Sequence, residues 1–406
     1  MNLNPVILAI PIYFVLMAIE LVYERFSSKK TYRLNDSVTN INLGALDQVT
    51  GVFGKLITIG IYTVVFELFA VFTIPNGWLS FVILFLAYDF CYYWSHRFAH
   101  QISLFWGGHV VHHQSEEFNL SVALRQSATS FIWSFPFYLP LALLGFSPVQ
   151  LVFVGGLNLL YQFWIHTEHI DRLGPLERIM NTPSHHRVHH GRNPKYIDKN
   201  YAGVFIIWDR MFGTFVSEEE RPDYGITKPL NSWNPLYANV SHYLDLARSV
   251  PKARSFSDKM RMLFYKPGWQ PDYLDGYATP FELGNGHQKY DENVRSKAHW
   301  YLLVQFLLSL GPIAYFLFQF SDLQPPMKAF LAVWIVATMV LFSFFFESKR
   351  NWVVVFETFR LGAVPLAIFL FFSGPYLLTS SVIYVVLSLI GLFYVWRESN
   401  STLLQA

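Results

Sequence analysis

Histidines are the residues of this chain whose type and spacing could support chemistry. Nine of the fourteen histidines fall in two short stretches, "HRFAHQISLFWGGHVVHH" from His96 to His113 and "SHHRVHH" from Ser184 to His190. Within them the histidines recur three or four residues apart, and such spacing places imidazole rings on one face of a helix. The sequence therefore predicts short helical runs whose imidazoles converge.

The imidazole nitrogens limit which metal ions such a site would bind. Neutral imidazole suits iron, zinc, copper and nickel, and it disfavours magnesium and calcium. A further pair, His166 and His169, has the same spacing, and so many histidines exceed the needs of one ion. The pattern favours a dinuclear centre with positions left open for substrate or dioxygen. The single cysteine, Cys91, excludes a site built from several thiolates.

The elements that must position these histidines are apolar. Hydrophobic residues make up 53% of the chain and charged residues 14%, and the mean hydropathy is +0.29. Ordinary soluble domains carry roughly 25% charged residues. The stretch 5–24 is already long enough to cross a bilayer. The sequence thus predicts an all-α, multi-pass membrane bundle with a histidine-rich di-metal site on its cytoplasmic side.

The order of apolar and polar segments predicts the topology. After a polar stretch at 25–42, further apolar segments lie near 51–74, 79–94, 131–144, 151–164, 299–320, 327–346, 352–373 and 376–396. Pro136 and Pro140 favour a shallow or re-entrant hairpin at 131–144. Basic residues from Arg25 to Arg33 mark the cytoplasmic side, where the histidines also lie. We expect N-terminal membrane helices at 1–78, a histidine-box domain with a cytoplasmic cap at 79–298, and C-terminal membrane helices at 299–406.

Composition also limits the partners. The net charge is +2 and no run rich in lysine and arginine resembles a nucleic-acid-binding patch, so no nucleic-acid partner is expected. A metal transporter would spread ionisable residues along a path across the bilayer, whereas these histidines gather on one side. We therefore favour an enzyme with a metal centre over a metal transporter.

The text around the histidines resembles a known superfamily, the fatty acid hydroxylases and sterol desaturases, which are membrane di-iron oxygenases. The stretches "LLYQFWIHTEHI", "LGPLERIMNTPSHHRVHHGRN" and "IDKNYAGVFIIWDRMFGTF" are most similar to its alkylglycerol monooxygenase family, which cleaves ether lipids. Position by position, the resemblance implies these metal ligands: His96, His100, His109, His112, His113, His166, His186, His189 and His190. His185 competes with His186, and His169 is left open because the family has an apolar residue there.

The resemblance also implies an activity. It is the oxygen-dependent hydroxylation of the ether-linked carbon of alkylglycerols, which releases a fatty aldehyde. Sterol desaturation or hydroxylation of a fatty-acyl or sphingolipid chain is the alternative. Two iron ions, dioxygen as co-substrate and tetrahydrobiopterin as reductant are implied, although no motif establishes the pterin. A separate electron donor stays open, since no fused haem module is present. The membrane would be the endoplasmic reticulum in a eukaryote and the inner membrane in a bacterium.

Other polar residues are candidates for supporting the centre, and none is expected to be catalytic beyond the ligands. Asp89 shares a helical stripe with His96 inside an apolar segment, so a bond that orients a histidine would explain its presence there. Glu168 is a nearby carboxylate. By resemblance, Asn119, Arg125 and Asn200 are pocket or cofactor candidates.

Two further positions carry expectations. Gln101 stands where the resemblance to animal relatives leads us to expect a glutamate, and the consequence of this difference is left open. Glu357 and Arg360 lie three residues apart within an apolar segment. Because an unpaired charge is costly there, we expect these two side chains to neutralise one another.

Overall fold

The computed structural model describes residues 5–277, 288–291, 296–347, 351–372 and 374–403. Within these ranges the regular structure is helical, with two isolated β-bridges and no sheet, so the all-α prediction is confirmed. The α-helices are α1 (Pro5–Phe26), α2 (Leu34–Phe69), α3 (Trp78–Gln101), α4 (Ser103–Trp106), α5 (Val110–His113), α6 (Ser130–Ser134), α7 (Leu139–Leu143), α8 (Pro148–Trp164), α9 (Pro183–His190), α10 (Ile207–Met211), α11 (Pro235–Ser249), α12 (Phe256–Phe264), α13 (Ser296–Gln319), α14 (Pro325–Glu347), α15 (Asn351–Phe371) and α16 (Pro375–Leu403).

Several of these helices have the dimensions of membrane spans. Among the described residues, α3, α13, α14, α15 and α16 contain stretches long and apolar enough to cross a bilayer. Helix α2 adds a sixth if its two halves, which are bent by 44°, form one span. The proline-containing segment at 131–144 forms only α6, a 3₁₀ turn at Phe135–Tyr138 and α7. The multi-pass membrane architecture predicted from hydropathy therefore agrees with the helices.

Helix α2 starts earlier than its apolar sequence suggests. The apolar segment lies at 51–74, but the chain is helical from Leu34. Its first turns bury Asp36 and Asn40. Asp36 accepts a hydrogen bond from Ser115 Oγ at 2.9 Å, and Asn40 Nδ2 donates to Ser121 Oγ at 3.1 Å. Polar residues can line a buried helix when their hydrogen bonds are satisfied, so polarity here does not indicate a loop.

The described structure divides into two compact units. The first comprises Met1–Leu230 and Tyr237–Lys289, and it contains every histidine discussed above. In its core, Tyr62 of α2, Leu84 of α3, Leu141 of α7 and Val154 of α8 pack together. Helix α8 begins with a capping box in which the side chains of Ser147 and Gln150 bond each other's backbone amides.

The second unit comprises Asn231–Leu236 and Tyr290–Ala406 and is built on α13 to α16. Its interior holds a polar network. Arg360 Nε donates to Glu357 Oε2 at 2.7 Å, so the predicted neutralisation of this pair is confirmed. Tyr301 and Gln305 of α13 also bond the pair, which links α13 to α15.

Candidate metal centre

The grouped histidines lie on four segments of the chain. The candidates His96 and His100 lie in the last turns of α3, and α5 is a single turn that carries His112 and His113. Helix α9, which starts at Pro183, presents the third set. Proline at the first helical position costs no hydrogen bond there. His166 follows the end of α8. The repeated spacings are therefore carried by short helices rather than by long ones.

The structure sorts nine histidines into two groups. In each group one ring nitrogen per residue lies within 4.8 Å of all the others. The five-histidine group is His96, His100, His109, His113 and His189, and the four-histidine group is His112, His166, His186 and His190. Among the described residues, both groups consist entirely of histidine. Two compact sets of neutral nitrogen donors suit two transition-metal ions.

The four-histidine group shows why a cation fits. His112 Nδ1 lies 2.9 Å from the carbonyl oxygen of Arg125, and His166 Nδ1 lies 2.7 Å from that of Gln162. Because a carbonyl only accepts, each Nδ1 must carry the proton. The two Nε2 atoms are nevertheless 3.3 Å apart, and neither has a hydrogen to donate. Two lone pairs that face each other at this distance repel, and a metal ion between them would remove the conflict.

The five-histidine group has a similar arrangement. His96 Nδ1 bonds the carbonyl of Tyr201 at 2.7 Å, and its Nε2 faces His109 Nε2 at 2.8 Å. His189 Nδ1 bonds the carbonyl of Lys199 at 2.9 Å. The Nε2 atoms of His189 and His100 are buried without a hydrogen-bond partner. Buried polar atoms are rarely left unpaired, so these nitrogens also fit the role of metal ligands.

Burial sets the protonation state of these rings. It lowers the pKa of His112 to about 4. The same cause, reinforced by neighbouring histidines, holds the pKa of His113, His186, His189 and His190 well below the ordinary value. All are therefore neutral at pH 7. Neutral imidazole is the form that binds a metal, so no proton has to be displaced at this pH.

A buried carboxylate that we did not predict supports this arrangement. Asp209 of α10 accepts hydrogen bonds from the backbone amides of Tyr201 and Ala202, both at 2.8 Å. Tyr201 in turn offers its carbonyl to His96. Burial raises the pKa of Asp209 to about 6. The only sequence signal for Asp209 is one acidic residue within the apolar stretch "FIIWDRMFG".

Asp89 acts at a distance from the imidazoles. It is fully buried and accepts from four donors, which are Asn158 Nδ2 at 2.8 Å, Val204 N at 2.8 Å, Phe205 N at 3.0 Å and Trp208 Nε1 at 2.9 Å. None of these donors is a histidine. Asp89 therefore ties α3 to α8 and to the segment that follows Tyr201, which positions a neighbour of the histidines rather than a histidine itself.

Arg125 and Asn200 connect more closely to the centre. Arg125 is buried, donates from Nε to the carbonyl of Val111 at 2.6 Å and holds Asn40 at 2.9 Å. Its own carbonyl accepts from His112. Asn200 has a left-handed backbone with φ of 54°, and its side chain bonds the carbonyls of His185 and Val216. Both residues thus hold the backbone that surrounds the grouped histidines.

The remaining predicted residues lie further out. Asn119 Nδ2 donates to the carbonyl of Thr31 at 2.6 Å. Glu168 accepts from the hydroxyl of Tyr224. His185 faces Glu177 at 3.9 Å. These contacts secure the polypeptide around the centre.

His169 and His185 belong to neither group of described histidines. The ring of His169 packs edge-on against Tyr23, and that of His185 packs against Phe215. The equal spacing of His185 and His186 to neighbouring histidines made them hard to separate in sequence.

Gln101 ends α3 and is half-buried.

A cavity of about 640 Å³ reaches the centre from outside. His100, His113, His189 and His190 form part of its wall, together with Trp106. It therefore connects both groups of histidines with a space large enough for part of a lipid molecule.

Comparison with known proteins agrees with this geometry. The fatty acid hydroxylase family matches residues 81–214. Alkylglycerol monooxygenase of Xenopus tropicalis is 36% identical over 382 residues, which are 92% of this chain and 83% of the relative. The enzyme of Homo sapiens is 45% identical over 267 residues, 65% of this chain and 59% of the relative. Lathosterol oxidase of Mus musculus is 28% identical over 156 residues, 35% and 48% of the two chains. No solved structure matches.

The extent of these similarities distinguishes the relatives. Likeness to lathosterol oxidase covers about a third of the chain, whereas likeness to the frog alkylglycerol monooxygenase covers nearly all of it. The region that matches the fatty acid hydroxylase family contains all nine grouped histidines. The resemblance seen in the sequence is confirmed, and the chain belongs to the alkylglycerol monooxygenase family, as a multi-pass membrane protein and lipid monooxygenase with a fatty acid hydroxylase domain.

Proposed function

We propose that this protein is a di-iron, dioxygen-dependent monooxygenase that hydroxylates the ether-linked carbon of 1-O-alkylglycerols. The observation that carries the proposal is the gathering of nine histidines into two groups, one of five and one of four. Family membership supports the ether lipid as substrate. The proposed iron ligands are the nine grouped histidines, and His169 and His185 are left out of the set.

The proposed reaction uses one dioxygen molecule and two electrons for each ether carbon that is hydroxylated. Two iron ions, held by the two groups, would supply the activation of dioxygen. One oxygen atom enters a C–H bond of the ether carbon, and the other leaves as water with two electrons and two protons from a reductant. The product is a hemiacetal, which collapses to a fatty aldehyde and glycerol. Oxidation of this carbon avoids a direct displacement of alkoxide, which is a poor leaving group.

The chain's own residues hold the centre and keep it dry. Backbone carbonyls of Arg125, Gln162 and Tyr201 keep protons on the Nδ1 atoms of their histidines, so Nε2 stays free for the metal. Eight of the nine grouped histidines are buried and His109 is half-buried, and burial limits the access of water to a reactive oxidant. The cavity beside them leaves room for one end of the substrate.

The finer features of the proposal come from the sequence. Tetrahydrobiopterin is the proposed reductant, with a separate electron-transfer protein as the alternative. The proposed site faces the cytoplasm, in the endoplasmic reticulum of a eukaryote or the inner membrane of a bacterium. We keep the proposed division into membrane helices at 1–78, an oxygenase domain at 79–298 and membrane helices at 299–406.

The test is turnover under oxygen-18 gas. Purified, iron-loaded protein is given 1-O-hexadecylglycerol and tetrahydrobiopterin, and the aldehyde is trapped at once by reduction to the alcohol. We expect oxygen-18 in that alcohol, because trapping precedes exchange with water. Label from water under the same conditions would instead indicate hydrolysis and contradict the proposal.

A panel of substrates and reductants separates the alternatives. Cytochrome b5 and ferredoxin systems replace the pterin in parallel reactions, and lathosterol and a ceramide replace the ether lipid. Turnover of the ether lipid with a protein donor would change only the reductant. If the ether lipid is inert with every reductant while the sterol or the ceramide reacts, the proposed substrate is wrong.

A further inference from the structure

The cavity beside the histidines carries an excess of positive charge. Two acidic residues, Asp198 and Asp245, line it. Five cationic residues do so as well, and these are Arg192, Lys228, Arg248, Lys252 and Lys266. The whole chain has a net charge of only +2, so the excess is a local property of this cavity.

Some of these cations are already neutralised. Arg192 Nε bonds Asp223 at 2.8 Å, and Lys228 Nζ bonds Asp245 at 2.8 Å. Arg248 lies 3.9 Å from Asp245, so it shares that carboxylate. Each of these three side chains therefore has an acidic partner, although Lys228 and Arg248 share a single carboxylate.

Lys252 and Lys266 differ from the other cations. In the part of the chain that the structure describes, neither has a carboxylate within 4.0 Å. Both are exposed to solvent at the cavity. Asp198, which lines the same cavity, lies 3.8 Å from His100. An exposed ammonium group without a close partner is available to an anion that enters the cavity.

Resting on the proposed function, we infer that the cavity receives the head group of the ether lipid and that Lys252 and Lys266 favour a phosphate monoester there. The substrate class would be 1-O-alkylglycerol phosphates. The cavity wall contains His100 and His189 as well as the two lysines, so one space offers the oxidising centre and the cations together. In such a lipid only the short glycerol unit separates the ether carbon from the phosphate.

The chemistry of lysine suits this role. An ammonium group is a compact charge that binds phosphate without the fixed geometry of a guanidinium group. Hydrogen bonds between ionised partners are roughly twice as strong as neutral ones. A neutral glycerol head group can accept a hydrogen bond from an ammonium group but forms no ion pair with it. Discrimination between phosphorylated and neutral lipids is therefore the measurable consequence.

The experiment compares 1-O-hexadecylglycerol with its 3-phosphate. The full-length, iron-loaded protein is placed in nanodiscs of zwitterionic phosphatidylcholine, so that the bilayer adds no net charge. We expect kcat/KM for the phosphate to exceed that for the neutral lipid by about tenfold, as two exposed charge contacts would give. In the double variant Lys252→Gln with Lys266→Gln this ratio should fall to about one. Lys259→Gln, on α12 but outside the cavity lining, should keep the wild-type ratio.

Several outcomes would overturn the inference while the proposed function stands. One is release of aldehyde from both lipids with equal kcat/KM in the wild type. Another is a preference for the phosphate that the double variant retains. Inorganic phosphate serves as a further probe. Inhibition by it without any preference for the phosphorylated lipid would mean that the cavity takes a free anion rather than a head group.

Failure of the proposed function would look different, since neither lipid would then release aldehyde. The head-group inference is still measurable in that case, by calorimetric titration of metal-free protein with 1-O-hexadecylglycerol 3-phosphate. Binding at least about tenfold weaker in the double variant than in Lys259→Gln would support it. Equal binding in the two variants would overturn it.

Discussion

The protein has two buried polar clusters, and they differ in whether their own side chains match donors with acceptors and balance charge. In the C-terminal unit, Arg360 bonds Glu357 at 2.7 Å, and Tyr301 and Gln305 complete most of the network. Donors meet acceptors, and positive charge meets negative charge. In the first unit, Nε2 of His112 faces Nε2 of His166 at 3.3 Å, although neither can donate.

This difference separates a structural network from a binding site. The Arg360 network is largely satisfied by its own unit, with only Nη1 left unpaired among the described atoms. In the histidine centre, the facing Nε2 lone pairs need a positive charge between them, and the side chains of the centre do not supply one. A buried cluster that is well packed yet electrostatically incomplete indicates an external ligand. The following predictions would break or sharpen this contrast.

Loss of one grouped histidine should have the largest effect. His112→Ala is expected to reduce turnover to background, well beyond the roughly 10- to 100-fold cost of losing a supporting residue. Iron content should fall from about two ions per chain, while membrane insertion persists because it depends on the apolar helices. Metal analysis and aldehyde release measure both effects. His185→Ala is the matched control, since His185 is buried but belongs to neither group. Full iron content in His112→Ala would exclude this residue as a ligand.

Removal of one charge from the C-terminal network should cost stability rather than metal. Glu357→Gln leaves the buried Arg360 without its counter-charge, and we expect a loss of about 3–5 kcal/mol in the free energy of unfolding. Thermal unfolding in detergent measures it. The double variant Glu357→Met with Arg360→Leu should recover most of the loss, because no buried charge remains. If folded Glu357→Gln protein loses its iron instead, the two clusters are not independent in function.

Acid should destabilise the metal-free histidine centre. An imidazole in an unfolded chain has a pKa near 6.5, whereas burial lowers the pKa of His112 to about 4. Between these values the unfolded state binds more protons, so stability is complete above pH 6.5 and is lost as the pH falls through this window. The loss is about 3 kcal/mol for His112 alone. Protection factors for amide hydrogen exchange, which correct for the slower intrinsic exchange at lower pH, should decrease in α5 and α9 as the pH falls, and unchanged protection factors down to pH 4 would contradict the expectation.

Substitution of a residue that only supports the histidines should have the smallest effect on the metal centre. Asp209→Asn keeps the shape of the side chain but can accept with one oxygen only, so the backbone of Tyr201 loses part of its support. Affinity for metal should weaken by about 10- to 100-fold. Titration of metal-free protein with Zn²⁺ measures this change. Asp171→Asn, whose carboxylate is 90% exposed, should bind Zn²⁺ as the wild type does. Identical affinities in both variants would show that Asp209 does not act through His96.

Some features were predictable because they are local. The three- and four-residue spacings of the histidines reflect helix geometry, and apolar length reflects bilayer thickness. The Glu357–Arg360 pair was likewise predictable, since a charge in an apolar helix needs a partner one turn away. By contrast, the burial of the polar start of α2 was not predictable from the sequence, because its partners Ser115 and Ser121 lie far along the chain.

The sequence by itself determined the kind of protein: an all-helical membrane protein with clustered histidines and a recognisable family. Only the tertiary structure decided how the histidines divide into a group of five and a group of four. It also decided that His169 and His185 belong to neither, and that carbonyls of Tyr201 and Arg125 orient the rings. The physical reason is that spacing and hydropathy act between near neighbours, whereas a metal site depends on lone pairs that distant segments bring together.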